Sequence, residues 1–266
     1  MFAAAPTVSL PSQTLISVFG VPIHNSMILG AAGIIILFWL MFYTRKRVLN
    51  SQHTKLSIAM LWGYEMLTNT TEEVLGNGDK ALARKIAPLA VTLFFLILLD
   101  NWLELLPIVG PVTFHGEGLF RGMAADLNFT FALAIITMVT AQLWAIKNLG
   151  FFGNLGRYFG NPFKDPLHCF IGFLELIAEF SRLIALSMRL FGNIFGGEVL
   201  LAVIAYISGY ASPLALPVFL ALELFVGAIQ AYIFFMLTVA FISIGATATK
   251  EHGEEATTAI GEARAV

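Results

Sequence analysis

An apolar stretch with one arginine near its middle decides the class of this chain: residues 186–200 read LSMRLFGNIFGGEVL, and the arginine is Arg189. The apolar run extends in both directions, over about residues 167–207. Because a membrane-spanning helix needs ~20 mostly apolar residues, the run predicts a helix inside a lipid bilayer. A charge at mid-membrane costs ~2.5–3.5 kcal/mol on insertion scales and is rare unless it serves a path for ions or protons.

The composition also predicts a membrane protein. Of the 266 residues, 58% are hydrophobic and 12% are charged, whereas a soluble domain carries about 25% charged residues. One cysteine, Cys169, and five histidines far apart in sequence provide no pattern of metal ligands, so we expect neither a metal nor a cofactor. A net charge of −2 without a basic face gives no reason to expect nucleic acid as a partner.

The apolar runs predict an all-α membrane protein with five crossings. The expected spans cover about residues 26–44, 86–106, 127–146, 167–207 and 213–248. Residues 50–80 have mixed polarity and predict an amphipathic helix on the membrane surface, and residues 147–166 predict a polar, glycine-rich loop. We expect residues 1–25 to form an outer N-terminal segment and residues 26–266 to form a single membrane domain.

The last two apolar runs are too long for ordinary spans. About 40 residues at ~1.5 Å each make a helix of roughly 60 Å, whereas the hydrocarbon core is only ~30 Å thick. A helix of that length must tilt far beyond the usual ~20°. The sequence therefore predicts a steeply tilted C-terminal helical hairpin that presents a broad side face to a partner inside the membrane.

The basic residues predict the orientation in the membrane. Seven of them follow the first span, three lie in the loop 147–166 and two in the C-terminal tail, whereas the loop 107–126 contains only Arg121. Because cytoplasmic loops carry the excess of Lys and Arg, we expect the N-terminus outside and the C-terminus in the cytoplasm.

Polar residues of the hairpin are expected at matching depths. In an antiparallel hairpin, residues lie level when their numbers sum to a constant, here about 420. The numbers of Arg189 and Gln230 sum to 419, and those of Glu198 and Glu223 to 421. The two carboxylates should therefore lie level with each other, roughly 10–14 Å outward of Arg189. Asn193, four residues after Arg189, shares its helix face.

Carboxylates also lie on the inner side of Arg189. Glu175 falls on a similar helix face, near the cytoplasmic start of the same helix. Carboxylates on both sides of a cation, separated by apolar residues, suit two aqueous routes that do not meet, with the cation blocking direct proton passage. Glu179, three residues before Arg182, suggests an ordinary structural ion pair.

Three points have two interpretations each. Glu198 lies about 180° from Arg189 around an ideal helix, so either it faces a water-filled route on the protein side or the glycines between them distort the helix. Those glycines, Gly192, Gly196 and Gly197, would otherwise serve only close helix packing. Arg189 itself would, in a purely structural role, form an ion pair that holds helices together.

Further polar residues lie at the outer ends of the second and third spans. Asp100, Asn101 and Glu104 precede Pro107 and would either line the mouth of an outer funnel or simply lie at the membrane interface. Asp126 and Asn128 open the third span, where they would line the same mouth or act as an N-cap.

The motif RLFGN at residues 189–193, followed by Gly197 and Glu198, resembles the signature of subunit a of the F-type ATP synthase membrane sector. Three further segments agree with this resemblance: QAYIF at 230–234, ADLN at 125–128, and the stretch from APLA at 87–90 to LLP at 105–107. The resemblance covers about residues 85–250.

The resemblance implies a stator subunit that lies in the lipid bilayer beside a rotating ring of c subunits. The b subunits of a peripheral stalk would hold this stator subunit in place. Protons would enter by one half-channel, neutralise a ring carboxylate and leave by the other. Arg189 would face that carboxylate, with Gln230 as its neighbour. Such a subunit is not catalytic alone. It would lie in a bacterial inner membrane, or in an organellar inner membrane.

The same resemblance implies a proton path of nine residues besides Arg189: Glu198, Glu223, Gln230, Asn193, Glu175, Asn101, Glu104, Asp126 and Asn128. Some bacterial members carry a histidine where this chain has Glu223. Glu175 corresponds to an acidic residue near the exit route, and Arg182 receives no role. The choice between protons and sodium ions depends on ring residues outside this chain.

The alternative function is an independent secondary transporter that uses the same charges for ion-coupled transport. Inverted repeats and paired broken helices, which are typical of such transporters, do not stand out in the sequence. An intramembrane enzyme ranks third, since no GxSG, HExxH or paired catalytic aspartates appear.

Overall fold

The computed structural model describes residues 14–18, 21–50, 54–75, 80–106, 113–114, 117–118, 120–158 and 166–264. Of the predicted N-terminal segment 1–25, residues 1–13 and 19–20 lie outside the described residues. The description of side chains ends at residue 244.

Helices form nearly all of the described structure. They are α1 Asn25–Leu49, α2 Lys55–Val74, α3 Lys80–Glu104, α4 Leu127–Leu149, α5 Phe151–Tyr158, α6 Pro166–Ser208 and α7 Ser212–Arg264. A 3-10 turn, Met123–Ala125, precedes α4, and a second one, Gly209–Ala211, joins α6 to α7.

Two short antiparallel hairpins accompany the helices. Strand β1, Thr14–Val18, pairs with β2, Val21–His24, and β3, Thr113–Phe114, pairs with β4, Glu117–Gly118. The sequence did not predict these hairpins. The expectation of a helical membrane protein is otherwise confirmed.

Four helical stretches are long and apolar enough to cross a membrane: Asn25–Leu49, Lys80–Glu104, Leu127–Lys147 and Phe170–Ile244. The chain is therefore a multi-pass membrane protein. The last stretch contains the turn Gly209–Ala211, so it holds both α6 and α7. α2 is not among these stretches, although large apolar side chains such as Trp62 are exposed on it.

Glycine and proline mark the ends of the long helices. Gly150, at φ 77°, follows α4 in a conformation that favours glycine, and its N–H donates to the Ile146 carbonyl at 2.8 Å. α6 begins at Pro166, where the missing N–H costs no helical hydrogen bond. Gly209, at φ 47°, allows the tight turn between α6 and α7.

The boundaries differ from the predicted ones mainly where polar residues continue a helix. α1 includes the basic residues 45–47, and α3 begins at Lys80 rather than near residue 86. The predicted loop 147–166 contains the short helix α5. A polar residue does not end a helix when its side chain lies at the membrane surface, so hydropathy alone underestimates the helix length.

The core of the bundle lies around α7, which packs against α2, α3, α4 and α6. Phe234, Phe235, Val239 and Ile242 of α7 are fully buried. Because lipid is as apolar as these side chains, close van der Waals packing, rather than the hydrophobic effect, stabilises such a bundle. This packing holds the α6–α7 hairpin, and therefore the polar residues on it, against α3 and α4.

Candidate functional site

Arg189 lies on an open face of α6. Its side chain is exposed, as is that of Met188, whereas Leu186 and Leu190 face the core and are buried. Within the described residues, no hydrogen bond or ion pair reaches the guanidinium of Arg189. The interpretation of Arg189 as half of a structural ion pair within this chain is therefore wrong for the described structure.

The glycines beside Arg189 are of two kinds. Gly192 and Gly196 are exposed, and a Cβ atom added to either would meet no atom within 4 Å. They lie on the face of Arg189, so they do not pack against helices of the described chain. Gly197, in contrast, is buried, and a Cβ atom there would collide with the carboxylate of Glu223. Of these three glycines, only Gly197 packs closely against another helix among the described residues.

The contact between Gly197 and Glu223 agrees with the register expected for the hairpin, because these residue numbers sum to 420. The same register places Gln230 level with Arg189 to within one residue. Gln230 is buried, and its Nε2 atom has no hydrogen-bond partner in the described part of the chain. Asn193 is half-buried, one helical turn from Arg189.

Glu198 faces the protein, where it forms an ion pair with Arg121. The Nη2 atom of Arg121 lies 3.3 Å from Oε2 of Glu198, and the Arg121 guanidinium also lies 5.9 Å from the ring centre of Phe195. α6 remains helical across Gly192–Gly197. Of the two interpretations for Glu198, the protein-facing position is therefore the observed one, without a distortion of the helix.

The contribution of Arg121 was not predicted from the sequence, in which it is only a charge in a loop. Its side chain is buried, although it precedes the third span by several residues. The available signal was its isolation: it is the one basic residue in a loop whose flanking helix ends carry several carboxylates. A lone cation among acids is a reasonable candidate for an ion pair.

Three carboxylates lie close together around the segment that contains Arg121: those of Glu104, Glu198 and Glu223. The carboxylate of Glu104 lies against Gly122, so a Cβ atom at Gly122 would collide with it. Arg121 pairs with Glu198, whose neighbour Gly197 contacts Glu223. We call Glu104, Arg121, Glu198 and Glu223 the acidic cluster.

Asp100 and Asn101 connect neighbouring elements beside the acidic cluster. Asp100 is buried and accepts hydrogen bonds from the backbone N–H groups of Met123 at 3.2 Å and Ala124 at 2.8 Å. Asn101 is also buried and donates from Nδ2 to the Gly227 carbonyl of α7 at 3.1 Å, while its Oδ1 has no partner among the described residues. Asp100 thus anchors the 3-10 turn, and Asn101 joins α3 to α7.

Asp126 is the N-cap of α4, as one of the two interpretations expected. Its Oδ1 accepts from the backbone N–H of Asn128 at 3.0 Å, and its Oδ2 accepts from the hydroxyl of Ser26 in α1 at 3.2 Å. The side chain of Asn128 is exposed. The described contacts give Asp126 a structural role at the helix start and a link to α1.

A second polar network lies on the opposite side of Arg189 along α6. Glu179 accepts from the Tyr158 hydroxyl at 2.5 Å and from Nε2 of Gln142 at 2.6 Å, and Asn154 donates to Oε1 of Gln142 at 3.1 Å. The predicted ion pair between Glu179 and Arg182 is wrong, because the Arg182 guanidinium instead lies 5.5 Å from the ring centre of Phe241. Tyr158 of α5 and Gln142 of α4 instead bind the two oxygens of the Glu179 carboxylate.

Glu175 is half-buried near the start of α6. Among the described residues, no three His, Cys, Asp or Glu side chains are grouped closely enough to hold a metal ion, and this includes the acidic cluster. The polar groups at these positions are carboxylates, amides, hydroxyls and the guanidinium groups of Arg121, Arg182 and Arg189.

Comparison with known proteins shows the family of this chain. The chain matches the profile of the family described as ATP synthase A chain over residues 26–243. An ATP synthase subunit a from Mycobacterium marinum is 32% identical over 243 residues, which cover 88% of this chain and 91% of that protein.

Two further relatives carry the same name. The subunit a of Enterococcus hirae is 34% identical over 218 residues, covering 79% of this chain and 86% of that protein. The subunit a of Acidothermus cellulolyticus is 36% identical over 191 residues, which cover 71% of this chain and 66% of that protein. The profile match spans both Arg189 and the acidic cluster, and the chain belongs to the ATP synthase subunit a family, a membrane component of that complex.

Proposed function

We propose that this chain is the proton-translocating stator subunit of an F-type ATP synthase, and that Arg189 faces the carboxylates of a rotating c-ring. The observation that carries this proposal is the guanidinium of Arg189, which is exposed on an apolar helix face and has no ion-pair partner among the described residues.

A charge in that position needs a counter-charge from outside the chain. Two unit charges 4 Å apart attract each other by about 4 kcal/mol at an effective dielectric constant of about 20. This is similar to the cost of placing an arginine at mid-membrane, ~2.5–3.5 kcal/mol on insertion scales. A ring carboxylate that is ionised only near Arg189 would therefore be stabilised there and released again after it is protonated.

The surface around Arg189 suits a closely approaching helix. Gly192 and Gly196 lie on its face and leave the backbone accessible. Small residues at a membrane helix interface allow two backbones to come close. Close approach would bring a carboxylate on a passing ring helix within reach of the guanidinium without the obstruction of a large side chain.

We assign the outer half-channel to the acidic cluster, with Asn101 and Asn193 beside it and Gln230 near its inner end. The Glu198 side chain is 34% exposed although it pairs with the buried Arg121. Partial exposure allows exchange with water, while the ion pair holds the carboxylate in place. Glu104 and Glu223 provide further acceptors along the same route. Asp126 and Asn128 would contribute at its mouth.

We assign the inner half-channel to the side of α6 that contains Glu175. Buried apolar side chains such as Leu186 and Leu190 separate it from the acidic cluster within the chain. A proton would then pass between the two routes only by riding on the ring. Arg189, lying between them, repels any cation that takes the direct path.

The membrane arrangement belongs to the same proposal. We infer five crossings in one membrane domain of residues 26–266, with α2 on the membrane surface. The N-terminus lies outside and the C-terminus lies in the cytoplasm of a bacterial inner membrane. α6 contains 43 residues, about 65 Å at ~1.5 Å per residue, so it must be steeply tilted in a core ~30 Å thick. Its length offers a surface to the c-ring, and peripheral-stalk b subunits hold the stator.

Substitution of Arg189 tests the proposal. The Arg189→Ala complex should assemble but lose proton-driven ATP synthesis, measured in inverted membrane vesicles energised by respiration. Met188→Ala is the matched control, because it removes an exposed neighbouring side chain without removing a charge. Normal synthesis by Arg189→Ala, together with a normal Met188→Ala, would refute the proposal.

A further inference from the structure

A groove of about 550 Å³ lies between the end of α1 and the first half of α3, and α2 forms its third wall. Large side chains that line it, such as Met41 and Tyr64, are exposed, so the groove opens to the outside of the subunit. Its described walls contain no residue of the proposed proton path. The groove therefore needs an explanation of its own.

A side-chain contact gives the register of α1 against α3. A Cβ atom added to Gly33 of α1 would lie 3.3 Å from the side chain of Leu103 of α3. In antiparallel helices with this register, residues lie level when their numbers have the same sum as this pair. The residues that line the groove form three such pairs: Met41 with Phe95, Thr44 with Thr92, and Val48 with Pro88. The helices thus touch at Gly33 and leave space between them beyond Met41.

The groove is shorter than half the thickness of the membrane core. Met41 and Val48 are seven residues apart, about 10 Å at ~1.5 Å per residue, whereas the hydrocarbon core is ~30 Å thick. A membrane-spanning helix of a partner protein would need a matching face along the whole core. A groove that is confined to one half of the membrane fits a lipid of the adjacent leaflet instead.

Two arginines lie at the end of the groove that is nearest the membrane surface. Arg45 lines the groove and is exposed. Arg84 is also exposed and lies four residues before Pro88, so it continues the row of lining residues on α3 by one turn. No ion pair reaches either guanidinium among the described residues. Both charges are therefore available to an anionic group.

The rest of the groove favours hydrocarbon. Met60 and Leu61 of α2 and Val91 of α3 provide apolar walls. The hydroxyl of Thr92 donates to the Pro88 carbonyl of its own helix at 2.6 Å, so it requires no polar ligand. A ligand with an apolar chain and an anionic end matches both parts of the groove.

We propose that this groove binds an anionic phospholipid, with an acyl chain between α1 and α3 and the phosphodiester at Arg45 and Arg84. Phosphate oxygens accept charge-assisted hydrogen bonds from guanidinium groups, and basic pockets between membrane helices bind anionic head groups. The inference goes beyond the proposed function. It uses only the proposed orientation, which places both arginines in the cytoplasmic leaflet.

Photochemical labelling of the whole complex tests the proposal. The complex is reconstituted into phosphatidylcholine vesicles that contain a small fraction of phosphatidylglycerol with a diazirine in its acyl chain. Parallel vesicles contain phosphatidylcholine with the same diazirine. After illumination, peptide mass spectrometry locates the labelled residues. The anionic probe should label groove residues such as Val48 and Thr92 about fivefold or more above the phosphatidylcholine probe, as expected for the attraction of one or two charges.

The combination of Arg45→Gln and Arg84→Gln should lower groove labelling by the anionic probe to the level of the phosphatidylcholine probe. Lys46→Gln is the matched control, because it removes a charge next to Arg45 from an exposed residue that does not line the groove. It should keep groove labelling within about twofold, since charges in water are screened beyond ~8 Å. An equal loss in Lys46→Gln would show a diffuse attraction to the basic surface and would overturn the proposal.

Thr92→Phe fills the groove without changing a charge. It should lower groove labelling by both probes and leave the labelling of Phe38, an exposed residue outside the groove, unchanged. This variant decides the matter if the double arginine variant does not assemble, and unchanged groove labelling in it would overturn the proposal.

A groove that neither probe labels in the unmodified complex would also overturn the proposal, because a helix of another subunit would then cover it. The labelling does not depend on proton transport, so the Arg189→Ala complex should label as the unmodified complex does. Failure of the proposed function and failure of the lipid site are therefore distinguishable.

Discussion

The guanidinium of Arg121 lies 3.3 Å from the carboxylate of Glu198, and the arginine is buried. This pair joins the segment before α4 to the middle of α6 and holds Glu198 on the protein side of the hairpin. The two arginines of the site thus differ in one respect: Arg121 has a carboxylate partner within the chain, whereas Arg189 has none among the described residues.

Arg121→Gln should destabilise the subunit and reduce proton entry from the outer side. Removing one member of a fully buried ion pair typically costs 3–5 kcal/mol. The cost should be smaller here, because the remaining Glu198 side chain is 34% exposed and water can reach its charge. The expected result is a lower melting temperature of the solubilised complex and slower proton uptake. Thermal unfolding and vesicle acidification measure these two effects.

Arg121→Lys is the conservative control for that experiment, because it keeps the charge with fewer hydrogen-bond donors. It should retain part of both properties. Equal melting temperatures for Arg121→Gln and the unmodified complex would contradict the importance of the pair.

Gly197→Ala and Gly192→Ala should behave differently although both add one methyl group to α6, eight and three residues after Arg189. A methyl group at Gly197 collides with the Glu223 carboxylate, whereas one at Gly192 meets no described atom. Overpacking of a core costs about 1–3 kcal/mol. The cost here should be at the low end of that range, because the Glu223 carboxylate is the end of a flexible side chain and can turn away from the methyl group. Gly197→Ala should therefore lower the amount of assembled complex, as quantified by blue native electrophoresis.

Gly192→Ala should leave the fold of the subunit intact and provides the comparison. If a ring helix packs closely on this face, as proposed, the ATP synthesis rate of the Gly192→Ala complex should nevertheless fall. Similar assembly of both variants would show that the contact between Gly197 and Glu223 is not tight.

Gln230→Leu should separate stability from function. The Gln230 amide is buried, and its Nε2 has no partner among the described residues, a situation that costs about 1–3 kcal/mol. An apolar side chain of similar size should leave the melting temperature unchanged or raise it. Proton conduction should fall, because the amide level with Arg189 is lost. A variant with both lower stability and normal conduction would contradict this assignment.

Asp126→Ala should affect stability more than conduction. Loss of an N-cap side chain costs ~1 kcal/mol, and the hydrogen bond from Ser26 is lost as well. Asp126→Ser, which keeps a capping oxygen, should restore most of the melting temperature. Because Asp126 lies at the proposed mouth and is held by Ser26 and the start of α4, its loss should lower conduction only slightly. A large fall in conduction with unchanged stability would contradict this mainly structural role.

Sequence analysis located the long helices because a bilayer imposes a strong local rule. Backbone groups in hydrocarbon must form hydrogen bonds within their own segment, so every long apolar run becomes a helix. The same rule made Arg189 conspicuous, since a charge inside such a run is costly. The antiparallel register of α6 and α7 followed from the position of the turn.

The short elements could not be predicted in the same way. α5 lies in a segment rich in glycine and polar residues, and the hairpins of β1–β4 are only two to five residues long per strand. Local composition favours a loop in each case. Contacts with the rest of the chain, such as that of Tyr158 with Glu179, outweigh these weak local preferences.

The sequence by itself determined the membrane class, the long helices, the family and the place of Arg189 within α6. Only the tertiary structure decided the partners of the charged side chains. Arg121 pairs with Glu198, and Glu179 accepts hydrogen bonds from Tyr158 and Gln142 rather than pairing with Arg182. The physical reason is that helix formation depends on neighbours within a few residues. Pairing depends instead on distances between side chains from separate helices, which no periodicity along the chain encodes.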